Sequence, residues 1–255
     1  MKKTFLMLVI LGLSMAISCV KEQQHEDINS KMQIFENCLN EAKIHSDYLE
    51  FINKNHYSLI TSDKDIFYNE HKKISFEFVN SSSKFSEFSK EKRAYMVELS
   101  NIRYEKEYFT KSSSLQKVDK LGEELLTDIN VLITSSNLDY NSIIRTVLMG
   151  EKYMACSDDE FLILSIAAST YLDSIQYWEK NINSWISSDE TLMTKGWSWS
   201  RVWGYVKQFA QADAEAGLET AIGSAFLGPV SLEAAFVGAG VGSAFECGKT
   251  IASML

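Results

Sequence analysis

The stretch Ala210–Leu255, AQADAEAGLETAIGSAFLGPVSLEAAFVGAGVGSAFECGKTIASML, decides how this chain folds. Seven of the 12 glycines and the single proline, Pro229, lie in it. Small residues recur at every fourth position: Ala212, Ala216, Thr220, Ser224 and Gly228 on one register, Ala234, Gly238 and Gly242 on a second, and Gly240, Ala244, Gly248 and Ala252 on a third. On a helix that spacing draws a smooth stripe against which another backbone can lie closely. Gly238, Gly240, Gly242, Ala244 and Gly248 are therefore the expected helix-packing positions.

Charge spacing limits what this stretch can be. Glu219, Glu233 and Glu246 leave two uncharged runs, Thr220–Leu232 and Ala234–Phe245. Each is about 18–20 Å long as a helix, short of the roughly 30 Å hydrocarbon core of a bilayer. A continuous span would put Glu233 and the Pro229 kink inside the membrane, where an ionised carboxylate is expensive. The expectation is a Gly/Ala-rich helical hairpin turning near Gly228–Pro229, packed on a helical body or lying shallowly in a membrane. Two motif-like runs fall inside it. Ser243–Thr250 approaches a phosphate loop but has serine for the first glycine, and Gly238–Ser243 approaches a dinucleotide loop but opens no βαβ unit, so small-residue packing explains both better.

Working back along the chain, apolar residues keep helical spacing. Ile28, Met32, Phe35, Leu39, Ala42, Leu49 and Ile52 predict a helix from Ile28 ending near Asn53–Asn55. Residues 56–110 read as two helices interrupted near Ser81–Ser83, although Ile74–Phe78 alternates like a strand. Leu115, Val118, Leu121, Leu125, Ile129 and Leu132 predict a helix ending at Ser135, followed by a short one over Ser142–Leu148. Ser157-Asp158-Asp159-Glu160 matches a capping box and predicts a long helix through about Ile186. All five tryptophans lie between Trp178 and Trp203. They read as core packing between that helix and the hairpin, with an interfacial belt or a partner patch as the alternatives. The fold class expected is mainly α: an irregular helical bundle over residues 28–209, with the helical hairpin over 210–255.

The other end sets the compartment. Met1-Lys2-Lys3 is a positive leader start, Phe5–Leu13 a short apolar run, and Ala16-Ile17-Ser18-Cys19 a small-residue ending. Residues 1–18 thus read as a secretory signal, and 19–27 as a polar tether. Removing Lys2 and Lys3 with the leader makes the formal charge two units more negative than −9. Such an acidic chain is not a general nucleic-acid binder, and it gains nothing from anionic headgroups, so membrane attachment rests on acyl chains and apolar surface. Cys38, Cys156 and Cys247 form no CxxC pair; three cysteines allow one disulfide with one thiol left over, and the preferred reading is buried free thiols.

Catalytic chemistry finds no carrier in the spacing. His25, His45, His56 and His71 lack HExxH or other metal spacing, no GxSxG occurs, and acid pairs fall at helix starts or on solvated faces. No enzyme, metal or cofactor is expected.

The Ser18-Cys19 ending resembles the lipobox of bacterial lipoproteins, which implies acylation (palmitate) on Cys19; Ala16 stands where leucine is usual. Lys21-Glu22 resembles part of the surface-export signal of Bacteroidota-like lipoproteins. With the Tyr177-Trp178 helix and the glycine zipper, the chain looks like the glycine-zipper lipoproteins of those bacteria, a resemblance that implies no activity. It implies a cell-envelope protein, lipid-anchored to the outer membrane on either face, whose small-residue tail serves helix packing, self-association or contact with an envelope partner. The alternative is a toxin acting on membranes through its tail, since Gly238 and Gly242 also resemble the GxxxG hairpins of pore-forming bacteriocins.

Overall fold

The computed structural model describes residues 2–55, 64–101, 113–135, 139–187, 199–227 and 231–254. In residues 2–26, 64–66, 68–69, 113–114, 186–187, 199, 226–227 and 251–254 the description is of the backbone alone. The elements are α1 (Lys2–Asn55), α2 (Lys64–Ser81), α3 (Lys90–Ser100), α4 (Ser113–Ser135), α5 (Tyr140–Leu148), α6 (Glu151–Met154), α7 (Asp158–Ser187), α8 (Trp199–Leu227) and α9 (Leu232–Met254). A 3-10 turn, Ser83–Phe85, separates α2 from α3. No strand occurs among the described residues, and the architecture is a mainly α-helical bundle.

Helix boundaries follow local chemistry. Ser157 Oγ accepts from Glu160 N–H at 3.3 Å while Glu160 Oε2 accepts from Ser157 N–H at 3.0 Å, so the capping box that opens α7 is closed in both directions. Asp139 accepts from Ser142 N–H at 2.9 Å to start α5, and Ser89 accepts from Lys92 N–H at 3.2 Å to start α3. The alternation over Ile74–Phe78 is helix, not strand. Ile74 and Phe78 are one turn apart and buried, whereas Phe76 faces outward, 42% exposed. The chain breaks where the serines compete with the backbone: Ser82 Oγ accepts from Lys84 N–H, and Ser86 Oγ donates to Ser83 O.

Two boundaries lie elsewhere than the periodicity predicts. Helix α1 begins at Lys2 rather than Ile28, so the residues read as leader and tether are continuous in backbone with the body. Helix α8 begins at Trp199 rather than near Ala210, because the aromatic run and the small-residue run share one helix.

Pairings give the directions. Residues 31 and 45 of α1 meet residues 161 and 173 of α7, so the two run parallel. Thr170 lies against Gly217 and Trp178 against Phe209, so α8 runs antiparallel to α7. Gly238 lies against Thr220, and Gln208 bonds Glu246, so α8 and α9 form an antiparallel hairpin whose turn at 228–230 lies outside the described residues.

That hairpin is the middle of the molecule rather than an appendage. Helix α9 packs on α1, α2, α3, α7 and α8, and residues 234–244 are all buried. A helix apolar all round belongs inside, and its small residues set how close the neighbours come. A Cβ on Gly238 would meet Thr220 Oγ1 and, at 2.9 Å, the Ser100 carbonyl oxygen; one on Gly240 would meet the Tyr48 ring at 2.5 Å. Gly242, Ala244 and Gly248 are buried on the same helix. Residues 243–250, read against a phosphate loop, are continuous helix. Among the described residues no helix is long and apolar enough to cross a membrane.

The tryptophans described sit largely in the core. Trp178 and Trp185 are fully buried with ring centroids 5.1 Å apart, Trp178 also lies 4.6 Å from Phe209, and Trp203 stacks on Tyr140. The side chains of Trp197 and Trp199 lie outside the described residues. Cys38, Cys156 and Cys247 are buried free thiols; burial pushes Cys38 up to about 12 and raises Cys247 further.

Candidate functional site

Along the parallel pair α1 and α7 runs an open groove of about 590 Å³. One wall comes from positions three and four apart on α1, including Lys43, Ser46, Asp47, Glu50 and Lys54; the other comes from Leu172, Asp173, Gln176, Tyr177 and Lys180 on α7. Because the helices run in the same direction, equivalent turns of each face one another along the whole groove. Its volume falls within the 300–1,000 Å³ range usual for small-ligand clefts.

Asp173 sits in the wall with its side chain 20% exposed. Three donor groups from α1 face it: His45 Nδ1 at 2.9 Å and Ser46 N–H at 3.1 Å on Oδ2, and Ser46 Oγ at 3.2 Å on Oδ1, its single proton shared with the Lys43 carbonyl oxygen at the same distance. Oδ2 is thus held from two sides, which orients the carboxylate on the α1–α7 joint.

Behind it the polar chain continues into the core. His45 is fully buried, and its Nε2 lies 3.2 Å from Oδ2 of Asp213, which is fully buried on α8. That approach is an ion pair rather than an aligned hydrogen bond, since the N–H points off the oxygen. Asp213 Oδ2 also accepts from Ser174 Oγ and, at 3.0 Å, from Trp178 Nε1, which reaches Ser243 Oγ of α9 at 3.2 Å. One network therefore ties α1, α7, α8 and α9 together.

The imidazole's charge follows from these partners. Burial alone would push it down, but the hydrogen bond to Asp173, the contact with Asp213 and the two negative charges outweigh burial and raise it from 6.5 to about 9. The raised value favours an imidazolium at His45 between the carboxyl groups of Asp173 and Asp213, and of the three side chains only Asp173 reaches solvent. Ser174 donates to Asp213 and not to His45, so the geometry is not that of an activated serine nucleophile. Among the described residues no group of three or more His, Cys, Asp or Glu has the arrangement to hold a metal ion.

A second buried polar cluster lies at the other side of α1. Tyr48 OH is 3.2 Å from His71 Nδ1 and 2.9 Å from Ser75 Oγ, and His71 stacks on Phe67 with centroids 3.7 Å apart. It joins α1 to α2 beneath Gly240 and is closed to solvent.

Of the positions singled out by sequence, Gly238, Gly240, Gly242, Ala244 and Gly248 are gathered on α9, away from the groove. The side chain of Cys19 lies outside the described residues, its backbone within α1. The Asp173–His45–Asp213 chain was not visible in spacing, because its members are far apart in sequence. A faint trace exists: His45 falls on the stripe Ala42, Leu49, Ile52, and Asp213 falls on the face of α8 that carries Phe209, Ala210 and Ala221, two titratable positions on faces that are otherwise apolar and buried.

Comparison with protein-family models, with curated proteins and with solved structures finds no match to this chain.

Proposed function

We propose that the chain is a lipid-anchored protein of the bacterial cell envelope, held to the outer membrane through an acylated Cys19, and that its helical body is a binding module whose ligand site is the α1–α7 groove. The observation that carries the binding role is Asp173, a carboxylate faced by three donor groups at the mouth of a buried charge network. A group already ordered in the free protein loses little entropy when a ligand arrives, and His45, the residue directly behind it, has a raised pKa of the kind that gathers at binding sites.

The anchor and the groove fit one arrangement. With residues 1–18 removed, α1 starts at Cys19, and about 12 Å of helix separates the lipid from the first described side chain at Asp27. The groove starts near Leu39, about 30 Å along the same helix. It therefore opens to the aqueous phase, away from the bilayer. The glycine-rich hairpin is committed to the core of this body; self-association or contact with an envelope partner falls to the outer helices. Burial of α9 favours this reading over a toxin, which would have to withdraw its central helix to insert it.

The test is a thermal-shift screen of the full chain against amino acids, short peptides, sugars, nucleotides and organic acids, repeated on Asp173→Asn. The proposal expects at least one class to stabilise the protein and to lose that effect in the variant. Stabilisation by no class contradicts the binding role.

A further inference from the structure

The charges along the groove nearly cancel in pairs. Lys43 is bonded to Asp47, and Lys54 to Glu50 at 2.5 Å. Two charged side chains of the lining belong to neither pair. One is Asp173, which is bonded from behind by His45 and Ser46, lies within the field of Lys43, and turns its remaining exposed edge to the groove. The other is Lys180, which lines the groove and has no ion partner among the described residues. Both lie on α7, two turns apart, so their backbone positions are separated by about 10 Å along the axis.

A ligand that satisfies both needs a cation and an anion at that separation. A free amino acid is too short. An extended chain advances at most about 3.3–3.6 Å per residue, so a peptide of three residues with free termini places its ammonium and carboxylate at about the required distance. Leu39 and Leu172 border the Asp173 end and offer apolar contact to the first side chain. We propose that the α1–α7 groove binds short peptides with free termini, the ammonium on Asp173 and the carboxylate on Lys180.

Each end has a physical reason to discriminate. An ammonium donates charge-assisted hydrogen bonds to a carboxylate that is already oriented, whereas an acetylated terminus presents a neutral amide. The lysine ammonium is a mobile point charge that follows a carboxylate and gains little from an amide. Loss of a hydrogen bond to a charged group in a half-enclosed groove corresponds to about tenfold in affinity.

The inference rests on the groove being a binding site, and its test separates the two. Titration calorimetry on the full chain would compare Leu-Ala-Ala with its N-acetylated and C-amidated forms. The free peptide is expected to bind, and each capped form to bind about tenfold more weakly. Lys180→Gln, on an exposed position that leaves the core intact, should bring free acid and amide to the same affinity. Equal binding of capped and free peptide, no binding of the free peptide at millimolar concentration, or retained discrimination in Lys180→Gln would each overturn the proposal. Stabilisation by some other ligand class that depends on Asp173 would leave the groove a site and dispose of the peptide.

Discussion

His45 should make the stability of this protein fall as the solution becomes mildly alkaline. Its pKa rises from 6.5 in the unfolded chain to about 9 in the fold, because Asp173 and Asp213 together overcome the opposing effect of burial. A group whose folded pKa is raised contributes fully below its unfolded pKa and loses that contribution as pH climbs through the folded value. The window is therefore pH 6.5 to about 9. Over it the loss is about 3 kcal/mol, at 1.36 kcal/mol per pKa unit. The residue is fully buried, so solvent screening does not reduce this. Against the 5–15 kcal/mol typical of a folded domain the change is large, corresponding to about 6–12 °C in Tm for a chain of this size. Urea unfolding followed by tryptophan fluorescence, run at intervals from pH 6 to 8, reads the slope while the thiols of the unfolded chain, whose ordinary value is about 8.5, are still mostly protonated. His45→Gln removes the titrating group and should flatten the curve, while lowering stability overall because two carboxylates lose their cation. A stability that is level from pH 6.5 to 8 in the wild-type chain, or a His45→Gln variant with an unchanged slope, would refute the reasoning.

Three other substitutions probe the framework. Gly238→Ala should lower stability by about 1–3 kcal/mol, since the new Cβ would press on the Ser100 carbonyl, a backbone atom that cannot swing aside; urea midpoints measure it. Gly204→Ala meets nothing within 4 Å on the same hairpin's first helix and should raise stability by about 0.5–1 kcal/mol through helix propensity alone. Ser157→Ala opens the capping box of α7 and should cost about 1 kcal/mol, read as a Tm lower by about 2–4 °C.

What the sequence discloses here depends on whether the cause is local. The Ser157–Glu160 capping box is closed within four residues, so the start of α7 was legible. The stripe from Leu115 to Ile129 and the break at Ser81–Ser83 are local in the same sense, and so is the small-residue hairpin, whereas Leu132, expected on that stripe, faces outward and Ile133 takes the buried place. The place of that hairpin at the centre of the bundle was not legible, because it depends on Tyr48 and Ser100 arriving from two other helices. The start of α8 at Trp199 was missed because bulky aromatic and small residues suggest different surroundings, although one helix can carry both. The groove was the least legible feature. Its oriented carboxylate depends on a contact between residues 128 positions apart, and neither His45 nor Asp173 has a neighbour in sequence that announces the other. Charge pairing had the same limit: Lys43–Asp47 and Glu50–Lys54 are visible as i,i+4 pairs, but that Lys180 is left over appears only once the partners of Asp173 are known.

Lipid attachment at Cys19 is the claim on which compartment, orientation and the outward-facing groove all depend. It is tested most directly by growing cells expressing the wild-type chain and Cys19→Ala with labelled palmitate and fractionating them. The account predicts label and outer-membrane recovery for the wild type, and a Cys19→Ala protein that is unlabelled and released from the membrane. An unlabelled wild-type chain, or a Cys19→Ala variant that keeps both label and membrane association, would contradict it.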